Sequence, residues 1–391
     1  MADRDFDIVL FGATGFTGGL TAEYLARNAP ARLRWALAGR SQSKLEAVRA
    51  RLAEIDPRLE SMELLIADSA DRDVLASVAG RTRVVITTIG PYLALGEPLV
   101  AACAAAGTDY VDLTGEPEFV DRMYLQHHDA AVASGARIVH SCGFDSIPHD
   151  LGVFFTLQNI PTDGPVDVRG VVRSNGTFSG GTFHSALGAF SRARQMKAAL
   201  DERHRKEGRP SGRSSRAVIG KPQRDRVLGY WLLPLPTIDP QMVQRSGAAL
   251  ASYGPKFTYS HYAGTKTLRY AAGGAAGVSA LAVGAQIPPV RNLLKKRVPQ
   301  GEGPSEARRR KSWFTVDFVA EAAGKIVHTR VSGGDPGYTE TAKMLAESGL
   351  CLALDQNPET AGQVTTATAM GQNLLTRLQK AGIKFEVVSG G

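Results

Sequence analysis

The sequence predicts an α/β protein: a doubly wound parallel sheet, followed by a second α+β domain with a mainly antiparallel or mixed sheet. Over the first 145 residues, short apolar runs alternate with segments of helical spacing, which is the pattern of βαβ units. The runs are almost continuously apolar, as expected for strands whose sheet is covered on both faces. After about residue 150 the rhythm changes, and a length of 391 residues leaves room for a second domain.

Six strands and two early helices are predicted in the first domain, assigned to residues 1–148. The strands are expected at 7–11, 33–38, 64–67, 84–88, 110–113 and 136–140, and the helices at 17–28 and 43–55. The second domain, 149–339, is predicted to hold strands at 167–173, 256–262, 313–321 and 325–332, the last two joined by an Ala-Ala-Gly hairpin turn, and a helix over 182–200. Further helices are predicted at 338–354 and 365–380, with a closing strand at 384–388.

The net charge of +8 is concentrated in two stretches. Residues 192–226 hold 12 Lys/Arg against 4 Asp/Glu, and residues 291–311 hold 8 against 2. The part from 201 to 226 is poor in apolar residues and is predicted to be a flexible basic loop. Because neither stretch has interleaved aromatics or a DNA-binding motif, no nucleic-acid partner is expected. An acidic protein, an anionic membrane surface or solvent alone remain as alternatives.

The three cysteines and the N-terminus bear on compartment and metal binding. Cys103, Cys142 and Cys351 form no CxxC pair, so neither a disulfide framework nor a zinc site is expected. The first residues carry acids where an export signal would carry bases. We therefore expect a cytoplasmic protein without a metal site.

The first strand runs into a glycine-rich turn that is followed by a helix. The turn reads GATGFTG from residue 12, and this placement predicts a Rossmann-type dinucleotide site. The first glycine permits the tight turn, the second lets the backbone approach a pyrophosphate, and the third allows the helix to pack on the strand. The helix N-terminus favours the phosphates. The cofactor-binding residues predicted here are Gly12, Thr14, Gly15, Phe16, Thr17 and Gly18.

The end of the second strand indicates which dinucleotide binds. NAD sites commonly place an acid there for the ribose hydroxyls, whereas this strand ends in Gly39-Arg40-Ser41. Arg40 can pair with a 2′-phosphate and stack on adenine, and Ser41 can either bond the same phosphate or cap the next helix. The sequence therefore predicts NADP(H), with Asp68 at the end of the third strand near the adenine.

Polar residues and glycines follow the later strands of the same sheet. Gly90, Pro91 and Tyr92 are predicted to bind the cofactor, with the rigid backbone of Gly90 and Pro91 against the nicotinamide half, because carboxyl ends of parallel strands face the ligand crevice. Tyr92, Asp145 and His149 are the candidates for a direct chemical role, chiefly proton donation. Tyr92 can equally pack, and His149 can equally be a residue of a helix start.

Residues 270–290 carry no charge and consist mostly of Ala and Gly, with Pro288 and Pro289 inside the window. The length would permit a membrane span, but the composition does not favour one. One interpretation is a packed helix of the second domain. The other is an interfacial or acyl-chain-contacting segment over 270–297, because basic residues follow it directly. The second interpretation would make the protein peripheral to membranes.

Taken together, GATGFTG, LAGRS, TTIGPY, AGTDYVDLTGE and CGFDSIPHD resemble the saccharopine dehydrogenase-like family, and are most similar to its actinobacterial trans-acting enoyl reductases. The resemblance extends to GEGPSEARRRKSWF, LAESGLCLAL and GQVTTATAMG, although Thr366 stands where the family pattern has a proline. It implies that 340–391 returns to pack on the first domain. It also implies reduction of an α,β-unsaturated acyl thioester by NADPH in lipid or polyketide biosynthesis, with the substrate on an acyl carrier protein or polyketide synthase.

These expectations leave several functions and partners open. We hypothesise that residues 203–226, together with 308–311, dock an acidic acyl carrier protein, since complementary charge steers such encounters. A second hypothesis is saccharopine-type chemistry on an amino-acid-derived imine, which needs several arginines, with Arg173 as one candidate. A third is a non-catalytic NADP-binding protein that associates with lipid surfaces.

Overall fold

A computed structural model describes residues 4–176, 187–188, 191–297 and 303–390, and the chain divides into two compact units. Unit 1 comprises the chain up to Phe144, Gly303 and Gly337–Arg377. Unit 2 comprises the chain from Asp145 to Pro336 apart from Gly303, together with the chain from Leu378 onward. The boundary after Phe144 lies close to the predicted one at 148.

Unit 1 contains a parallel sheet of seven strands, in the order β14-β6-β5-β4-β1-β2-β3. Six of these are the predicted strands, so the doubly wound parallel sheet is confirmed. All six residues of the first strand are buried, which explains why its sequence is apolar apart from Asp7. The strands are β1 (Phe6–Phe11), β2 (Trp35–Gly39), β3 (Leu64–Ile66), β4 (Thr82–Thr87), β5 (Asp109–Val111), β6 (Arg137–Val139) and β14 (Gly362–Val364).

Helices connect these strands and cover the sheet. Asp71 caps the helix Arg72–Arg81 by accepting a hydrogen bond from the backbone N–H of Val74, and the helix Thr339–Leu354 packs on the first helix and on β4. The helices of unit 1 are α1 (Phe16–Asn28), α2 (Gln42–Ile55), α3 (Arg72–Arg81), α4 (Tyr92–Leu95), α5 (Glu97–Ala106), α6 (Pro117–Ser134), α13 (Thr339–Leu354), α14 (Thr366–Ala369) and α15 (Gly371–Lys380), the last of which runs across the boundary of the unit.

Unit 2 contains a mixed sheet of eight strands, in the order β15-β13-β12-β7-β11-β10-β9, with β8 also paired to β11. The pairs β7–β11 and β8–β11 are parallel, and the others are antiparallel. This confirms the predicted second α+β domain. The strands are β7 (Pro165–Ser174), β8 (Ser214–Val218), β9 (Gln223–Arg224), β10 (Trp231–Pro234), β11 (Lys256–Thr265), β12 (Phe314–Ala322), β13 (Lys325–Gly333) and β15 (Lys384–Gly390).

The helices of unit 2 are α7 (Ile147–Leu157), α8 (Ala193–Glu207), α9 (Asp239–Ala249), α10 (Leu268–Gln286), α11 (Pro288–Arg297) and α12 (Glu306–Arg309). Much of the helix predicted at 182–200 falls outside the described residues, and α8 continues beyond its predicted end. Among the described helices, none combines the length and hydropathy that crossing a bilayer requires.

The prediction of a flexible loop over 201–226 is wrong. Helix α8 extends to Glu207, β8 pairs along five residues with β11, and β9 pairs with β10. Arg203 is fully buried and ion-paired with Glu207, whose other oxygen lies 3.0 Å from Nε of Arg245. Some of the basic residues in this stretch are therefore ion-paired within the fold. The amino-acid composition alone does not distinguish them from basic residues that face solvent.

The last residues of the chain also differ from expectation. The strand predicted at 384–388 is present as β15, but it pairs with β13 in the sheet of unit 2. The expectation that the whole of 340–391 packs on the first domain is therefore wrong for the chain from Leu378 onward. Without β15, the strand β13 would lie at the edge of the second sheet with unpaired backbone groups, and pairing with β15 satisfies them.

Candidate functional site

The glycine loop of unit 1 has the geometry that its sequence requires. Gly12 adopts φ +88°, a conformation that favours glycine, and its carbonyl accepts a hydrogen bond from the N–H of Gly15 at 3.0 Å. A Cβ added at Gly18 would lie 2.1 Å from the carbonyl oxygen of Gly12. Helix α1 therefore approaches the end of β1 as closely as the backbone allows.

The first turn of α1 is open to an anion. Gly15 is the N-cap and contributes no side chain to the N–H groups of that turn. Thr14 is exposed and Thr17 is half-buried beside it. Backbone N–H groups at a helix N-terminus, next to two hydroxyls and a glycine, suit a pyrophosphate. The loop thus fits the phosphate half of a dinucleotide.

Two contacts that support this loop were not predicted. The hydroxyl of Thr88 donates to the carbonyl of Gly12 at 3.2 Å, and it would also meet a Cβ at Gly18 at 2.6 Å. The ring of Phe16 packs edge-on against Tyr338, with centroids 5.0 Å apart. Thr88 follows β4, the neighbour of β1, so its position at a strand end could have identified it as part of this site. Tyr338 is distant from the loop in sequence, and no sequence pattern links it to Phe16.

Arg40 follows the end of β2, next to β1 in the sheet. Its side chain is exposed, and it has no carboxylate partner within the described part of the chain. The hydroxyl of Ser41 accepts a hydrogen bond from the backbone N–H of Lys44 at 3.5 Å and so caps α2. Arg40, the N-terminus of α2, and the exposed Ser43 and Lys44 together make a cationic corner that fits a 2′-phosphate. Ser43 and Lys44 were not predicted.

Asp68 lies beyond the end of β3 and is exposed. Its carboxylate accepts a hydrogen bond from the N–H of Ala70 at 2.9 Å, which forms the turn into α3. β3 is the neighbour of β2, so Asp68 and Arg40 follow adjacent strands of the sheet. A contact between Asp68 and the adenine stays a prediction.

Gly90, Pro91 and Tyr92 follow β4. Gly90 and Pro91 are exposed, whereas Tyr92 is buried. The Tyr92 hydroxyl donates to the carbonyl of Thr87 and accepts from the N–H of Leu113, both at 3.1 Å. This arrangement ties the ends of β4 and β5 together, and it favours a structural role for Tyr92 over the predicted chemical one.

A buried polar network holds the ends of β5 and β6. Asp112 is fully buried, and its carboxylate accepts from the N–H groups of Thr114 and Ser141 and lies 2.7 Å from Nδ1 of His140. Such a network fixes the strand ends rigidly. Rigid strand ends are what a site for an extended cofactor needs.

In unit 2, two histidines converge on one buried carboxylate. His149 on α7 places Nδ1 2.8 Å from Asp239, the first residue of α9, and His261 on β11 places Nε2 3.6 Å from the other oxygen of Asp239. The two imidazole rings meet edge-on at 4.9 Å. The hydroxyl of Tyr259 lies 3.0 Å from Nδ1 of His261 and orients that ring. We call His149, Asp239 and His261 the histidine–aspartate cluster.

The environment of this cluster separates the protonation states of its members. Burial opposes ionisation of Asp239, but His149 and His261 hold its pKa below the ordinary value. Burial lowers the pKa of His261 to about 3, against the attraction of Asp239. At neutral pH, Asp239 is therefore ionised and His261 is neutral.

Asp145 precedes α7 and is half-buried. Burial and the negative charge of Asp239 raise the pKa of Asp145 to about 7 from an ordinary 3.8, while His149 opposes the rise. A carboxyl group with this pKa holds a proton near neutrality and can deliver it. Asp145 follows Phe144, so it comes just after the carboxyl end of β6 along the chain.

The histidine–aspartate cluster is also the one group in the described part of the chain that could hold a metal ion, because its three ligand atoms lie within 4.8 Å of one another. No metal is expected from the sequence, and of these three residues only His149 was a predicted site residue. Its members lie on three separate elements far apart in the chain, so no spacing motif reveals them. Nδ1 of His149 lies 2.8 Å from Asp239, so a direct hydrogen bond accounts for this contact without a metal.

Comparisons with known proteins bear on these two sites. Residues 8–139 match the family model described as the saccharopine dehydrogenase NADP binding domain. A Mycobacterium tuberculosis protein named as a trans-acting enoyl reductase is 40% identical, over 98% of this chain and 97% of its own. The trans-acting enoyl reductase of Mycobacterium leprae is 36% identical, over 97% of each chain.

The fold has a counterpart among solved structures. Apo saccharopine dehydrogenase (L-Glu forming) from Saccharomyces cerevisiae superposes with a TM-score of 0.56 at 12% identity, covering 98% of this chain and 100% of that one. The whole-chain identity to the mycobacterial proteins and the match of unit 1 confirm the family expected from the motifs. The chain belongs to the saccharopine dehydrogenase-like family, which includes the mycobacterial trans-acting enoyl reductases, and is an NADP-dependent oxidoreductase.

Proposed function

We propose that the chain is an NADPH-dependent trans-acting enoyl reductase that reduces the double bond of an α,β-unsaturated acyl thioester. The observation that carries the proposal is the 40% identity, over nearly the whole of both chains, to a protein named for that activity. The phosphate loop and the cationic corner at Arg40 support the choice of NADPH as the reductant.

Bound NADPH would supply a hydride to the β-carbon of the acyl chain. The chain's own part is positioning. The first turn of α1 would hold the pyrophosphate, Arg40 and the start of α2 would hold the 2′-phosphate, and the tied ends of β4 and β5 set the backbone at Gly90 and Pro91. A fixed geometry removes much of the entropic barrier to a two-partner reaction.

Reduction also needs a proton at the α-carbon. We assign this proton to the carboxyl group of Asp145, which is half-buried and protonated near neutral pH. Asp239 acts on Asp145 through its charge, and His149 holds Asp239 in place at 2.8 Å. His149 and Asp239 are thus positioning residues for the acid, and Asp239 is one that the sequence did not reveal.

Saccharopine-type imine chemistry is less well supported by unit 2. A substrate with several carboxylates needs uncommitted arginines, but Arg169 is ion-paired with Asp225 and Glu321, and Arg330 with Asp317. Arg173 stacks on the ring of Tyr230 at 4.2 Å. Within the described residues of the second sheet, these arginines form no carboxylate clamp.

A carrier-bound substrate agrees with the basic residues that remain exposed. Arg203 is buried and does not belong to such a surface, but Arg205, Lys206, Arg209, Arg216 and Arg224 are exposed in the same stretch, as are Arg308, Arg310 and Lys311. We propose that this basic surface binds an acidic acyl carrier protein. Arg205→Glu with Arg209→Glu is expected to slow reduction of a carrier-bound enoyl chain at low salt and to leave a small free thioester unaffected. Equal rates on the carrier-bound chain contradict the surface.

Peripheral contact with membranes is part of the same proposal, and it suits a reductase whose acyl products are lipids. Its support is the uncharged segment 270–290 with bases after it. A non-catalytic NADP-binding protein would share that surface but would not turn over substrate.

The test is turnover with a labelled cofactor. The purified chain is incubated with a free enoyl thioester and NADPH deuterated at the transferable position, and product is analysed by mass spectrometry. We expect NADPH oxidation with one deuterium at the β-carbon, and loss of turnover in Asp145→Asn with NADPH affinity unchanged. Oxidation with a lysine-derived imine only supports the saccharopine-type reaction, and NADPH binding without turnover of either substrate supports the non-catalytic protein.

A further inference from the structure

Helices α10 and α11 expose an unusual number of large apolar side chains. Six of them, between residues 268 and 293, have 38% to 65% of their surface in contact with solvent: Leu268, Tyr270, Val283, Ile287, Val290 and Leu293. A helix at the surface of a globular unit ordinarily turns polar residues outward. The outer side of these two helices therefore exposes apolar side chains to water, which is unfavourable.

The exposed side of α10 is apolar along its length. Besides the residues above, it carries Gly273, Ala276, Gly277 and Ala280, and its exposed polar residues are Arg269 and Gln286, among those whose side chains are described. The helix is nevertheless supported from behind, since it packs on β10 and β11 and Ala285 is fully buried. The two helices form a hairpin with one face on unit 2 and one apolar face outward.

The charges carried by these two helices and by the chain beside them in sequence have a single sign. From residue 240 to 301 the sequence contains no Asp or Glu and eight Lys/Arg. Lys266 and Arg269 are exposed at the start of α10, and three consecutive bases, 295–297, end α11. An apolar face bordered by cations and free of acids matches the boundary between anionic headgroups and acyl chains.

Two other occupants fit this face less well. A second copy of the chain would set one acid-free basic segment against another in a symmetric contact, and like charges directly opposed disfavour association. An acidic carrier protein would match the charge but not six exposed apolar side chains, and the basic surface around Arg205 and Arg209 suits it better.

We propose that the outer face of α10 and α11 binds anionic phospholipid bilayers, with Tyr270, Val283 and Ile287 entering the acyl boundary and Lys266 and Arg269 contacting lipid phosphate. The inference gives the proposed membrane contact a defined surface and lipid class. Its test needs no turnover, so it can fail while the reductase function stands, and the reverse also holds.

The experiment is flotation of the full chain with vesicles of phosphatidylcholine containing 30% phosphatidylglycerol, against vesicles of phosphatidylcholine alone, in about 0.1 M salt. We expect the chain to float with the anionic vesicles only. Val283→Glu with Ile287→Glu should abolish flotation, because it places charges in the apolar face. The matched control is Ile219→Glu, a charge added at an apolar residue that is 94% exposed outside the segment, and it should float as the wild type does.

The cations are tested in the same way. Lys266→Gln with Arg269→Gln should lower partitioning roughly 30-fold, at about 5-fold for each cation near an anionic surface. Arg205→Gln with Arg209→Gln removes the same charge from the other basic surface and should lower it much less. The urea unfolding midpoint should be unchanged in every variant, which shows that each one is folded.

Three results would overturn the proposal. One is no flotation of the wild type with anionic vesicles. Another is equal flotation of the wild type and the Val283→Glu/Ile287→Glu variant. The third is a wild-type dimer in light scattering that this variant dissociates without any lipid binding, which would assign the face to a second copy of the chain.

Discussion

Asp145 links the chemistry of unit 2 to its stability, and Asp145→Asn tests that link. Burial and the charge of Asp239 raise the pKa of Asp145 to about 7, against an ordinary 3.8 in an unfolded chain. Below pH 4 the carboxyl group is protonated in both states and contributes no difference. Between about pH 4 and 7 the unfolded state loses the proton and the folded state keeps it, so the free energy of unfolding falls as the pH rises.

The size of this loss follows from the shift. A difference of about three pKa units corresponds to a ceiling of about 4 kcal/mol, reached above pH 7 where both states are ionised. The side chain is half-buried, so solvent screens part of the penalty and about 2 kcal/mol is the expected value. Asparagine has the same shape and cannot ionise, so Asp145→Asn should not show the loss.

The assay is urea unfolding of wild type and Asp145→Asn at pH 4.5, 6 and 8. The variant should gain stability relative to the wild type by about 2 kcal/mol between the lowest and the highest pH. Asp163→Asn, at an exposed aspartate of the same unit, controls for the removal of one negative charge. A difference between Asp145→Asn and wild type that stays constant over this range refutes the assigned environment of Asp145.

Three further outcomes are expected at the cofactor site and the proton donor. Arg40→Ala should weaken NADPH binding about 10- to 100-fold in calorimetric titration while NADH affinity stays within about 3-fold, because only NADPH carries the phosphate that the guanidinium contacts; equal losses contradict the assignment. Gly18→Ala should abolish NADPH binding and lower the unfolding free energy by about 1–3 kcal/mol, because its Cβ has no room, whereas Gly80→Ala, with nothing within 4 Å of its Cβ, should change neither. The rate of a reaction that needs protonated Asp145 should fall as the pH rises past about 7. Asp239→Asn should move this fall in kcat to lower pH, because it removes the charge that raises the pKa of Asp145. If the fall in kcat stays at the same pH in Asp239→Asn, Asp239 does not act on Asp145.

The cofactor unit could be predicted because its determinants are local. Each strand of its sheet is a short apolar run followed by a turn, and the glycine loop lies within a few residues of β1. Strand β14 was the exception: its sequence, Gly-Gln-Val, is not an apolar run, and it is a strand because it pairs with β6. Thr88 was within reach of the same reasoning, since it follows a predicted strand.

The histidine–aspartate cluster could not be predicted because its determinants are tertiary. His149, Asp239 and His261 come from a helix, a helix start and a strand that meet only when the second sheet forms. His261 lies in a strand of alternating buried residues, and a single histidine at one of the buried positions does not by itself indicate a functional site. For Tyr92, the position at a strand end suggests chemistry, whereas its hydroxyl is hydrogen-bonded to the backbone of Thr87 and Leu113, which the sequence does not show; a chemical role for Tyr92 stays a prediction.

The two basic stretches show why charge alone does not identify a partner. The two stretches have similar net charge in the sequence, but they fold differently. The first contains the buried Arg203, an ion-paired helix and paired strands. Its exposed surface is almost wholly polar apart from Ile219 and its neighbours. The second begins within α11, the second helix of a hairpin with an apolar outer face. Positive charge attracts an anionic partner to either surface. Only at the second surface does a partner also remove exposed apolar side chains from water, which is favourable. A polar anionic surface such as a carrier protein therefore suits the first stretch, and an anionic surface with an apolar interior suits the hairpin. Arg205→Gln with Arg209→Gln removes two charges from the first stretch, and Lys266→Gln with Arg269→Gln removes two from the start of α10, so these two variants should separate carrier-dependent turnover from lipid binding.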